Sequence, residues 1–72
     1  MENNNEIELF TYKVYQDNKE VKVFINQTTD FEPFKWLLRN QGQSVNWALK
    51  HGGYKVEEIN SKGESKFWQP YN

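Results

Sequence analysis

Seventy-two residues with a formal net charge of −1 make one small domain, and a chain this short closes around a single modest core. With no cysteine, neither a disulfide nor a thiolate site is available, and the near-neutral charge by itself points neither to a nucleic-acid binder nor to an acidic mimic. The chain is rich in rings, three Trp, four Tyr and five Phe against one Met; a core this size does not house them all, so the surplus belongs on the surface.

Residues 1–5, with three asparagines in a row, read as a disordered tail ahead of a single α+β domain over 6–72. The start has no basic stretch and no apolar run of the kind a signal peptide carries, and nothing approaches the roughly 18 apolar residues of a membrane span. The expectation is a cytoplasmic protein with no membrane partner.

From Ile7 to Tyr15 β-branched and aromatic residues dominate, with Phe10, Tyr12 and Val14 on one parity, which predicts a first strand. Asp17-Asn18-Lys19-Glu20 is a turn, and Val21, Val23 and Ile25 alternate through a second strand, completing a hairpin. Thr29 and Glu32 have capping-box spacing, and Pro33 falls in the first helical turn, where its missing N–H does no harm. Phe31, Phe34, Leu37 and Leu38 predict the inner face of that helix. Asn40-Gln41-Gly42-Gln43 interrupts it; Ser44 caps a second segment with Val45, Ala48 and Leu49 inward, so one kinked helix and two short helices are both consistent with the pattern. Gly52-Gly53 stops the helix, Tyr54–Ile59 is a third strand, 60–65 a turn and 66–69 a short fourth strand closed by Pro70.

A ββ-α-ββ chain of this kind packs its helical layer on one face of a four-stranded antiparallel sheet, with expected strand order 2-1-3-4. Side-chain alternation then puts Phe10, Tyr12, Val14, Val21, Val23, Ile25, Tyr54, Val56 and Phe67 under the helices, provided a bulge near Glu58 restores the parity that Ile59 breaks. The open face receives Thr11, Lys13, Tyr15, Lys22, Phe24, Lys55, Glu57, Lys66 and Trp68, a mosaic of lysines and rings. Tyr15, Phe24 and Trp68 are expected to supply apolar contact to a partner while Lys13, Lys22, Lys55 and Lys66 steer it. Trp36 and Trp47, oblique on the helices, either wrap the edge of the core or form, with Arg39, a second candidate patch.

Catalytic and metal chemistry find little support. His51 is the sole histidine and precedes a glycine pair, a position suited to a helix C-terminus. Glu57 and Glu58 are adjacent in a strand and point to opposite faces. Asp17 and Asp30 sit at turn and cap positions. One histidine without cysteine leaves no metal-ligand spacing, and no cofactor motif occurs. Gly52-Gly53 follows a helix rather than opening one, so it is not a phosphate loop.

The order of hairpin, helix and Gly53-Tyr54-Lys55-Val56 resembles small bacterial and phage domains, among them phage inhibitors of host RNA polymerase. This is a resemblance of topology that carries over no residue roles; it implies an accessory protein acting by occupying a partner's surface. The function expected is therefore a non-enzymatic binding module that docks on a protein partner and inhibits or modulates it. Two alternatives use the same chain differently: a single-stranded nucleic-acid binder stacking bases on the lysine-and-ring face, and a self-associating structural protein forming a homodimer through an edge strand. The same lysines also serve simply to keep an open sheet face in solution.

Overall fold

A computed structural model describes residues 7–71; the tail expected over 1–5 lies outside them. The elements are β1 (Phe10–Gln16), β2 (Lys19–Gln27), α1 (Phe31–Gln41), α2 (Val45–His51), β3 (Tyr54–Ile59) and β4 (Ser65–Phe67). The four strands form one antiparallel sheet in the order β2-β1-β3-β4. The helical region is two helices. Gly42 ends the first in the left-handed conformation, and Ser44 caps the second by accepting a hydrogen bond from the Trp47 N–H at 3.0 Å. The expected capping box on α1 does not form. Asp30 occupies the cap position, and Thr29 Oγ1 accepts only from the Phe31 N–H, at 3.3 Å.

Among the described residues the core is seven side chains, Tyr12, Val14, Leu37, Val45, Ala48, Tyr54 and Val56, enclosed between the sheet and both helices. The inward parity expected for β1 and for Tyr54 and Val56 holds. That of β2 is inverted, and the cause is one residue. The hairpin turns at Asp17 and Asn18, both at positive φ (52° and 70°), as a tight two-residue connection requires. Gln16 then faces Lys19 and Tyr15 faces Glu20. Continued without interruption, this register would set Val21 against Val14. Instead the ladder shifts by one residue, so Val14 faces Lys22, Lys13 faces Val23 and Tyr12 faces Phe24. A one-residue bulge moves every later side chain to the other face. Phe24 therefore turns inward, and Val21, Val23 and Ile25 stay exposed. A second shift, at Asn26 with φ 58°, brings Gln27 opposite Phe10.

β4 departs from expectation for the complementary reason. No bulge occurs near Glu58: six consecutive residues of β3 pair with β1 without a break. Ile59 thus stays on the open face, Phe67 lies beside Glu57 on that same face, and Trp68 turns inward, its N–H donating to the Val56 carbonyl at 2.9 Å. The Trp68 ring meets Tyr12 edge-on at 6.1 Å and Phe34 at 6.5 Å between centroids.

Helix α1 is rotated from the expected setting. Leu37 is buried, but its fellows on the inner face are Pro33 and Trp36, while Phe31, Phe34 and Leu38 are exposed. Trp36 packs edge-on against Phe24 at 6.4 Å, so the inversion of β2 and the rotation of α1 are one rearrangement.

Burial of Tyr12 has a titration consequence. Its hydroxyl is pushed up to about 12, first by burial and then by the Glu58 and Asp30 carboxylates, from an ordinary value of 10.0. The native state holds this proton more tightly than the unfolded chain. Its contribution to stability is whole below pH 10 and is lost as the pH rises toward 12. Tyr12→Phe is expected to flatten the alkaline decline of the urea midpoint. Part of the slope remains with Tyr15, which is also raised, chiefly by its hydrogen bond to Glu57. A decline as steep as that of the wild type would remove Tyr12 from this role.

Candidate binding surfaces

The seven residues expected on one face are divided among three places. Lys13, Tyr15 and Lys55 lie on the open face of the sheet as expected. Lys22 and Phe24 lie on the helix side at the β2 edge, and Lys66 and Trp68 on the helix side at the β4 edge. The bulge in β2 and the unbroken β3 register produce this division.

At the β2 edge a groove of about 350 Å³ runs between β2 and α1, lined by Lys22, Phe24, Glu32, Lys35, Trp36, Arg39 and Asn40. It unites two of the seven residues of the expected face, Lys22 and Phe24, with Trp36 and Arg39 of the second expected patch. Trp47 is not part of it; its ring lies against His51, 5.9 Å away, on α2. Phe24 and Trp36 form the floor. Lys22 Nζ stands 5.5 Å from the Phe24 ring centroid, and Lys35 bridges Glu32 at 3.5 Å while lying 5.1 Å from the Phe31 ring. Three cations against one carboxylate make the groove basic in a chain of net charge −1. Among the described residues no carboxylate pairs with Lys22 or Arg39. Lys35 and Arg39, four apart and flanking Trp36, were readable as one helix face once Trp36 was turned inward.

At the β4 edge, Phe34, Val45, Leu49, Trp68 and Tyr71 surround a more apolar hollow of about 590 Å³ that also meets Asp30, Glu58 and Lys66. Its outer wall is the segment after β4, held to α2 by a double clasp. Asn46 Nδ2 donates to the Tyr71 carbonyl at 2.9 Å, and the Tyr71 N–H donates to Asn46 Oδ1 at 2.7 Å. No local pattern announced this pairing across 25 residues. Trp68 Nε1 reaches Glu58 Oε1 at 3.4 Å.

The open sheet face is the third place. Its middle row reads Val23, Lys13, Glu57, Phe67 across β2-β1-β3-β4. Thr11 and Ile59 form the next row, and Tyr15 and Lys55 the row on the other side. Tyr15 donates to Glu57 at 2.9 Å and its ring lies 6.4 Å from Phe67. The observed parity of β2 and β4 is what brings Val23 and Phe67 to this face.

Among the described residues no group of three His, Asp or Glu side chains is placed to hold a metal ion, and no helix is long and apolar enough to cross a membrane. Comparison with known proteins adds no assignment: no family model, curated protein or solved structure matches the chain.

Proposed function

We propose that this protein is a non-enzymatic binding module that docks on a protein partner through the β2–α1 groove, taking an acidic segment of that partner and thereby inhibiting or modulating it. The observation that carries this reading is the convergence of Lys22, Lys35 and Arg39 around the Phe24–Trp36 floor. Rings supply desolvated contact area, and the cations supply orientation and attraction.

The test is a tryptophan-fluorescence titration with a synthetic peptide of Glu and Asp residues around a central Phe, beside an oligothymidylate of similar charge. The peptide is expected to bind saturably. Lys22→Glu combined with Arg39→Glu, both at exposed positions, is expected to weaken it tenfold or more, about 1.4 kcal/mol. Oligothymidylate binding that falls steeply with salt, without peptide binding, would favour the single-strand alternative. Binding of neither probe would defeat the groove reading.

A further inference from the structure

We infer that the open face of the sheet is covered by a second copy of this chain, the two sheets stacking face to face with the helices outside. This pairing is independent of the groove, which lies on the other side of the sheet.

The first ground is the distribution of apolar groups. The interior holds seven hydrophobic residues, one of them alanine. The open face meanwhile presents Val23, Ile25 and Phe67, all exposed, with Ile25 at 62 %. Ile59 and the Tyr15 ring, half-buried, extend the same surface. Surface clusters of this kind mark association sites.

The second ground is the arrangement of charge. Consider a two-fold axis parallel to the strands, passing between β1 and β3 in the plane between the sheets. It lays β1 over β3 of the second copy and β2 over β4. Each row is kept and reversed. In the middle row Lys13 meets Glu57 of the second copy, Glu57 meets its Lys13, and Val23 meets its Phe67, twice over. In the adjoining rows Thr11 meets Ile59, and Tyr15 meets Lys55. No like charges oppose. A two-fold axis running across the strands through the same row would instead stack Lys13 on Lys13 and Glu57 on Glu57. The face is therefore complementary to itself in one orientation, as an isologous interface must be.

The third ground is area. Four strands about 4.8 Å apart, averaging about 20 Å in length, give a footprint on the order of 400 Å² per copy. The relief of the side chains raises the accessible area toward the roughly 600 Å² per partner at the low end of stable interfaces. Aligned sheet packing at about 30° and about 10 Å leaves room for lysine and glutamate to reach across.

The experiment is sedimentation equilibrium of the full chain over a wide concentration range. The wild type is expected to move from the mass of one 8.7 kDa chain to twice that value. Val23→Glu, at a position outside the core, is expected to leave it monomeric with an unchanged far-UV spectrum. Lys13→Glu and Glu57→Lys, each alone, set like charges against one another across the axis and are expected to be monomeric. Mixed in equal amounts they are expected to restore a dimer of one chain of each kind, because the carboxylates of one then face the ammonium groups of the other. Restoration on mixing distinguishes the interface from repulsion within a chain, which mixing leaves in place. A wild type monomeric throughout, the face then being left to some other protein, would overturn the inference. So would a dimer that Val23→Glu and both charge reversals leave intact.

Discussion

Leu37→Ala is expected to lower the unfolding free energy by about 2–5 kcal/mol, the range for a leucine deleted from a core that cannot collapse around the gap. Leu37 is fully buried and heads the largest fully buried side chains. It is the aliphatic contact of α1 with a cluster of only seven residues. A domain of this length has roughly 5–10 kcal/mol in all, so the variant is expected to show a much lower urea midpoint and a visible unfolded fraction at room temperature. Leu38→Ala is the matching control. Leu38 is adjacent, chemically identical and 43 % exposed, and its loss is expected to cost about 0.5 kcal/mol or less. The pair reads out the rotation of α1 directly. Equal losses would mean that the helix presents the Phe31–Phe34–Leu37–Leu38 face after all.

Gly53→Ala is expected to cost about 1–2 kcal/mol in the same assay, chiefly from the backbone. Gly53 has φ +78°, and a Cβ there would meet the Asp17 carboxylate, the end of an exposed side chain that can turn aside. The contact matters because the Asp17 N–H donates to the Gly53 carbonyl at 2.9 Å, tying the β1–β2 turn to the start of β3. Gly63→Ala supplies the comparison. Its φ is +85° but a Cβ would meet nothing within 4 Å, so only the backbone cost of about 1 kcal/mol is expected. Combining Gly53→Ala with Asp17→Gly removes the contact and keeps a residue suited to the positive φ at position 17. The two losses are expected to add within about 0.5 kcal/mol, because the carboxylate turns aside. A combined loss smaller than the sum by about 1 kcal/mol or more would show that the carboxylate is held in place.

Much of the architecture was legible from local chemistry. Phe10, Tyr12 and Val14 alternate cleanly, Asp17-Asn18 accepts the left-handed geometry of a tight hairpin, Ser44 caps, and Gly52-Gly53 stops a helix. Those signals were enough for the antiparallel order β2-β1-β3-β4. What was not legible was the choice between two patterns that overlap in the same residues. β2 alternates equally well with Val21, Val23 and Ile25 inward or with Phe24 inward. Likewise α1 has one helical stripe through Phe31, Phe34 and Leu38 and another through Pro33, Trp36 and Leu37. Neither segment decides alone. Phe24 and Trp36 select each other by packing edge to face, a tertiary event that periodicity does not register. The candidate site inherits this dependence: Lys22 and Lys66 followed their strands to the helix side, while Lys13, Tyr15 and Lys55 remained on the open face.

The unmatched residue of β2 nearest the turn, Val21, sits between the ladder pair Tyr15–Glu20 and the pair Val14–Lys22. It makes no core contact, so selection on packing leaves its identity free; its mere presence is what counts. Interior and exterior of the hairpin are thereby encoded in chain length rather than in composition. Point changes along β2 retune whichever surface already faces out. Gain or loss of one residue near the turn exchanges the two surfaces at once. A family descended from this chain would be expected to diversify its contacts by such length changes, keeping the same strand order while showing partners an entirely different set of side chains.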